Sequence, residues 1–244
     1  YKMRITTGVK DSAGNALIGQ FESSSGYLTG KFVTVGGFRP GYILTSSDGN
    51  SWTSRTSGTT ENLLGVTYGN SKYVAVGRQE TIMTSSDGTT WDNMTSGQGS
   101  NDFYAVTFGN STYVASGSNS IIWKSSNAVS WTTINPGDTS GVFHGGVYSN
   151  GTLMLVGGAS GTIAISSDNG SSWDNNTSST TNILYGVTHD GVGLFATVGG
   201  SGTILTSADN GTNWTSRTSG TTQHLNGVIN RNNTFVVVGE GGTI

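Results

Sequence analysis

An all-β chain of short antiparallel strands is predicted by three features of the sequence. A unit of about 40 residues recurs along the chain. Each unit holds β-prone apolar clusters, such as Tyr73-Val74-Ala75-Val76, set between Gly, Asn and Ser turns. No window shows the 3.6-residue apolar period of an amphipathic helix.

The recurrence is most visible at a tryptophan. Five segments align: 46–52, 85–91, 125–131, 166–173 and 207–214, each reading Ser-x-Asp or a close variant and ending in Trp52, Trp91, Trp131, Trp173 or Trp214. Successive tryptophans lie 39, 40, 42 and 41 residues apart. An apolar strand ending in Gly precedes each box, and a sixth copy of that strand runs from Phe235 to Gly239. The second copy reads as four strands: A at Leu63–Tyr68, B at Lys72–Val76, C at Thr81–Ser85 and D at Thr90–Thr95. Four strands per unit of this length are the signature of a propeller blade. The expected architecture is a single six-bladed β-propeller over residues 1–244, each blade a four-stranded antiparallel sheet.

The ends imply how such a ring closes. The last copy stops at Ile244 within its strand C, and about eight further residues of its unit are expected beyond it. Tyr1 to Gly8 resembles the strand D phrase Trp52 to Gly58, with Tyr1 in the Trp slot and Arg4 on the slot of Arg55 and Arg217. The N-terminal segment is therefore expected to supply the outer strand of the last blade and cover its exposed edge. In blade one the A–B connection, 22–30, is longer than Gly69-Asn70-Ser71 and reads as a protruding loop.

The Ser-x-Asp-(x)-Gly-x-x-Trp segments resemble the Asp box of sialidase-like repeat propellers (BNR repeats). The fourth and fifth copies match the full spacing, and the first two are one residue shorter. The third has Asn127 for Asp and Val129 near the Gly position. The resemblance implies that each box is the C–D turn at the blade periphery. The residues agree: Asp48, Asp87, Asp168 and Asp209 accept bonds from their own turns, Gly supplies a positive φ, and the five Trp rings fold back onto the blade. These are structural roles.

Composition removes several function classes. The net charge is −3 without a basic run, so no nucleic-acid footprint is visible. No apolar stretch approaches the roughly 20 residues of a membrane span. Without Cys there is no disulfide, thiolate metal site or Cys nucleophile. His144, His189 and His224 fall in different blades, so no metal is expected, and nothing points to a cofactor. Nine Asn-x-Ser/Thr sequons matter only where the chain is secreted through a glycosylating pathway.

In a repeat fold, function is sought where the repeat breaks. Gly or Ala at 65, 105, 146, 186 and 227 recur and fit the crowding of strand A near the axis. Arg4, Arg55 and Arg217 recur and brace strand D. The B–C and D–A loops share the rim opposite the boxes, and their contents vary. That rim supplies the candidate ligand-binding residues Arg39, Arg78, Glu80, Tyr104, His144, Tyr185, Asn226 and Glu240, with no catalytic residue assigned. Rings and amides around a concave centre suit a sugar, the rings stacking on pyranose C–H groups and the amides serving hydroxyls.

The sequence thus favours a non-catalytic recognition module binding glycan or a protein partner, part of a longer chain or assembly. Its low charge and Ser/Thr/Asn-rich surface resemble repeat propellers of secreted, cell-surface and phage tail-associated proteins. A sialidase-like hydrolase is the rival. Phe38-Arg39-Pro40 is similar to that family's Phe-Arg-Ile-Pro motif but lacks the Ile, and the arginine cluster the enzymes need cannot be assembled. A docking platform resembling photosystem assembly-factor propellers and a rigid spacer are the remaining readings.

Overall fold

The computed structural model describes residues 18–20, 31–37, 40–95, 99–137, 141–158 and 160–244. The chain divides into two compact units, 1–106 and 107–244. The expected outer strand at Tyr1 to Gly8 and the blade-one loop at 22–30 lie outside the described residues.

In the first unit, β1 (Ile18–Gln20), β2 (Phe32–Gly36), β3 (Tyr42–Ser46) and β4 (Thr53–Arg55) form one antiparallel sheet in chain order. Strands β5 (Leu63–Gly69), β6 (Lys72–Gly77), β7 (Ile82–Ser85) and β8 (Asp92–Asn93) form the next. Strand β9 (Phe103–Gly109) crosses the division and heads a sheet with β10 (Thr112–Gly117), β11 (Ile122–Ser125) and β12 (Thr132–Ile134). The second unit continues with β13 (Phe143–Ser149), β14 (Thr152–Gly157), β15 (Thr162–Ser166) and β16 (Asp174–Thr177). Strands β17 (Leu184–His189), β18 (Phe195–Gly199), β19 (Ile204–Ser207) and β20 (Thr215–Arg217) follow, then the pair β21 (Leu225–Arg231) and β22 (Thr234–Gly239). The described residues contain no α-helix.

The second strand of each complete sheet carries most of the core. Val74 to Val76, Leu153 to Val156 and Phe195 are fully buried, because these central strands are covered on both faces. Strand D is shorter than the sequence implies in the second copy, Asp92–Asn93 instead of 90–95. A side chain takes over from the ladder there: Thr95 Oγ1 accepts the Ile82 amide at 3.0 Å and donates to Glu80 O at 2.8 Å.

The Ser-x-Asp…Trp segments are C–D turns built by side chains. Ser46 Oγ accepts the Gly49 amide (2.8 Å), and Asp48 Oδ1 accepts those of Asn50 and Ser51 (2.8 and 2.9 Å). Ser85 and Asp87 repeat this pattern, as do Ser207 and Asp209 with one more residue in the turn. These bonds hold Asp209 at a pKa of about 2, the amide of Asn213 contributing most, ahead of its side-chain NH2 and the Ser207 hydroxyl. Trp91 Nε1 donates to Gly88 O (3.2 Å), its ring beside Tyr73, and Trp214 does the same to Gly211 O (2.9 Å). In the third copy Ala128, not Val129, occupies the glycine slot. It has φ 61° and donates its amide to Ser125 Oγ at 2.9 Å, while Val129 is exposed. Arg55 and Arg217 brace strand D by donating Nε to Thr45 and Thr206 hydroxyls, both at 2.9 Å.

One assignment on strand A is corrected. Gly145, not Gly146, is the residue equivalent to Gly65 and Gly186. A Cβ there would stand 3.1 Å from Tyr185 O, as one on Gly65 would stand 3.0 Å from Tyr104 O. Gly146 instead faces Leu155 and Thr107. The register is the same in both strands, and Gly146 takes the position that Val66 holds in β5.

Candidate functional site

Two local devices build the rim of B–C and D–A loops. The first is a rigid B–C turn. At 78–80, 118–120, 200–202 and 240–242 the chain makes a single tight turn whose middle residue is left-handed: Gln79, Asn119, Ser201 and Gly241, at φ 54°, 52°, 54° and 66°. Its first amide donates to the residue before strand A, as Arg78 does to Asn62 O (3.0 Å), Gly200 to Ile183 O (2.9 Å) and Glu240 to His224 O (2.8 Å). Its third amide bonds the D–A loop, as Glu80 does to Asn101 O (2.7 Å) and Gly202 to Gln223 O (2.9 Å).

The second device is a β-bulge at the entry of strand A. Register shifts between Leu63 and Gly65, Phe143 and Gly145, Leu184 and Gly186, and Leu225 and Gly227. The residue skipped is Leu64, His144, Tyr185 or Asn226, so the bulge re-aims the one side chain that varies from sheet to sheet. The glycine that follows lets backbones of neighbouring strands A approach. A Cβ on Gly186 would meet Gly227 Cα at 3.3 Å.

In the first unit the rim carries a polar cluster around Asp102. Asp102 Oδ1 accepts the Gln79 amide at 3.1 Å, and its Oδ2 lies 3.8 Å from Arg78 Nε. Tyr104 is half-buried beside them. Burial first, then the Asp102 charge, raises the Tyr104 phenol above its ordinary value, and the hydroxyl bonds that carboxylate. Arg78 is exposed. Glu80 Oε1 accepts the Asn101 amide NH2 at 2.7 Å, so this carboxylate is engaged within the rim. Arg39 lies outside the described residues.

In the second unit the rim carries a row of rings. His144 and Tyr185 stand edge to face with centroids 5.5 Å apart, and Tyr185 and His224 follow at 6.1 Å. Burial pushes the His144 imidazole below its usual pKa and keeps it neutral. His224 Nδ1 accepts the Ser201 amide at 3.1 Å, which places the imidazole proton on Nε2. Asn226 is half-buried at the equivalent bulge, and Glu240 is exposed. Sequence reasoning thus found His144 and Tyr185 but missed His224, and in the first unit it missed Asp102. Both occupy the slot just before strand A, where Asn62, Val142 and Ile183 stand in the other copies. That column holds a different residue in each of these copies, so sequence alone does not single them out.

The described residues hold no cluster of three or more His, Asp or Glu side chains placed to bind a metal. None of their helices is long and apolar enough to cross a membrane.

No family model matches the chain, and no curated protein matches it in sequence. Solved structures do. YCF48 bound to D1 peptide aligns with a TM-score of 0.66 and 15% identity, over 86% of this chain and 72% of that one. YCF48 from Cyanidioschyzon merolae aligns at 0.64 and 16%, over 86% and 74%. The WD40 β-propeller domain of Doa1 aligns at 0.63 and 13%, over 82% and 68%. The fold is a β-propeller. At these identities the likeness carries the architecture, and each blade-like sheet here matches that reading.

Proposed function

We propose that the chain is a non-catalytic recognition propeller that binds a peptide segment of a protein partner at its B–C/D–A rim. The observation that carries this is the bulge at the entry of strand A. It sets a side chain that escapes the repeat on a backbone clipped by the B–C turn. A rigid scaffold presenting variable side chains is the arrangement of a binding surface. Support also comes from YCF48, a structural neighbour whose described complex is with a D1 peptide. The engaged Glu80 carboxylate argues in the same direction, because a glycosidase needs a pair of carboxylates free to act on substrate.

A glycan is the second reading, favoured by the half-buried rings of His144 and Tyr185 beside the Asn226 amide. Parallel peptide and glycan arrays on the purified chain, with products checked by mass spectrometry, separate the readings. Saturable peptide binding without turnover, weakened by Arg78→Ala or Tyr185→Ala, is expected. Glycan binding alone selects the second reading, and cleavage selects the sialidase-like hydrolase. Silence on both arrays selects the rigid spacer.

The finer architecture is proposed with it: six blades of the Asp-box type, closed by Tyr1 to Gly8 beside the β21–β22 pair. A disulfide between Cys residues placed at Lys2 and Thr243 tests the closure, and its failure to form under oxidation argues against it. An extracellular, cell-surface or virion setting fits the low charge and the Ser/Thr/Asn content. Surface proteolysis of intact cells or particles tests that placement.

A further inference from the structure

Two sheets, one in each unit, carry the same run of residues at the same place. Residues 52–60 and 214–222 both read Trp-Thr-Ser-Arg-Thr-Ser-Gly-Thr-Thr. Each run forms strand D and turns into the D–A loop. There Thr59 and Thr221 donate their amides to the Ser57 and Ser219 hydroxyls at 3.5 and 3.3 Å. Each loop borders an open groove on the rim. The groove of the first unit, about 320 Å³, lies between 54–60 and Pro40, Gly41 and Tyr42. That of the second, about 640 Å³, lies between 217–222 and the B–C turn residues Ser201 and Gly202.

The turn does not require the arginine. In the fourth copy Thr180 donates its amide to Ser178 Oγ at 3.4 Å, and Ser179 takes the left-handed slot of Gly58 and Gly220 at φ 64°. That copy has Asn176 opposite Ile163, where Arg55 stands opposite Ile43 and Arg217 opposite Ile204. Ile134 fills the slot in the third copy. Arg55 and Arg217 each donate Nε to a Thr hydroxyl at 2.9 Å, which restrains the guanidinium. Their terminal amino groups have no hydrogen-bond or ion-pair partner among the described residues.

A restrained planar fork of N–H donors is the complement of a carboxylate. Thr56 and Thr218 line the grooves beside it and add hydroxyl donors. No ring lines the second groove, so a sugar lacks a face to stack on there, whereas an acidic side chain needs only donors. The residue after the loop is Glu61 in the first unit, its carboxyl accepting the Thr60 hydroxyl at 3.5 Å, and the uncharged Gln223 in the second. Glu240 belongs to the next turn, where its amide bonds His224 O, and it makes no ion pair with Arg217.

We propose that the two grooves are carboxylate subsites, in which Arg217 and Arg55 take Asp or Glu side chains of a bound peptide segment. This rests on the reading of the rim as a peptide-binding surface and names the chemistry that the segment must bring.

The blocked peptide Ser-Gly-Glu-Gly-Ser and its Gln counterpart test this. They are titrated into the full chain while the Arg Nε–Hε signals and the Gly202 and Gly220 amides are followed by NMR. The Glu peptide is expected to move the Arg217 and Arg55 signals, to bind about tenfold or more tightly than the Gln peptide, and to weaken as salt is raised. Arg217→Asn is the fold-preserving variant, since the fourth copy makes this turn with Asn, and it should abolish the Gly202 and Gly220 shifts while Arg55 still responds. Thr206→Val keeps the charge but releases Nε, and should weaken the second groove several-fold. Equal binding of the Gln peptide overturns the proposal, as do unchanged shifts in Arg217→Asn. Methyl glucuronide is the sugar-borne carboxylate: if it moves the arginines and the Glu peptide does not, the proposal falls. Peptides that bind the rim without an acidic residue and without moving either arginine overturn it and leave the recognition reading standing. If no peptide binds, in this titration or on the array, both fall.

Discussion

Gly199→Ala tests whether the clip between strands A and B holds the rim together. Gly199 ends β18 in an extended conformation (φ −168°, ψ −156°), so backbone strain is not the issue. A Cβ built there lies 2.1 Å from Ile183 O, and real contacts of this kind essentially never fall below 3.0 Å. The start of strand A must therefore move by about 0.9 Å relative to the end of strand B. Neither side yields easily, because Leu184 and Phe195 are fully buried. Overpacking of this sort costs about 1–3 kcal/mol. The displacement also loosens the Gly200 N–H bond to Ile183 O, now 2.9 Å, at a net cost of about 1 kcal/mol. The expected loss is about 2–4 kcal/mol by urea unfolding followed by circular dichroism. Gly151→Ala is the control: nothing lies within 4 Å of its Cβ, and its φ of 82° alone sets a cost of about 1–2 kcal/mol. If Gly199→Ala stays within about 0.5 kcal/mol of the parent, or costs less than the control, the clip is not rigid and the argument fails.

Further tests address the turns and the rim. Trp91→Ala should cost about 3–5 kcal/mol, because it empties a buried site against Tyr73, whereas Trp91→Phe should cost less by keeping a ring while losing the bond to Gly88 O. Near-zero loss in thermal or urea unfolding of the alanine variant would contradict the packing described. Asp209, held at about 2, should contribute stability that is complete above the unfolded carboxyl value of about 3.9 and fades as pH falls through about 2. The stability curves of parent and Asp209→Asn should therefore converge toward acid, and parallel curves would contradict this. Glu80→Gln should leave fold and affinity intact, since Oε1 still accepts the Asn101 amide at the present 2.7 Å position, whereas an enzyme relying on that carboxylate would lose turnover.

Much of the fold was legible because it repeats. A run such as Tyr73-Val74-Ala75-Val76 is ambiguous in isolation, and five aligned tryptophans fix the phase of the five units that carry them. The C–D turn was readable for the same reason, since Asp48 and Asp209 bond their own turns as short polar side chains do. What escaped was phase within a copy. Gly145-Gly146 offers two glycines for one slot, and only the contact with Tyr185 O decides between them. Ala128 at φ 61° escaped because a left-handed alanine has no sequence signature and is tolerated only where Ser125 holds its amide. His224 and Asp102 escaped because their roles depend on a neighbouring B–C turn: the Ser201 amide for one, the Gln79 amide and Arg78 for the other.

The same backbone slot thus carries opposite chemistry in the two units. Before β9 it holds Asp102, and two residues on stands Tyr104, whose hydroxyl is drawn to that carboxylate and to the neighbourhood of Arg78. Before β21 it holds His224, and the ring stands edge-on to Tyr185. Nothing in the β-ladder requires either choice, since Asn62, Val142 and Ile183 fill the slot in other copies with the same backbone bonds to their B–C turns. Positions that the β-ladder does not dictate on a rigid rim are where selection for a ligand can act. Replacing Asp102 by Asn should therefore change what the first unit's rim binds while leaving its Gln79 bond in place, and replacing His224 by Asn should change what the second unit's rim binds while leaving its Ser201 bond in place. If instead either change unfolds the chain before it alters binding, the slot is part of the scaffold and the recognition surface must be sought elsewhere.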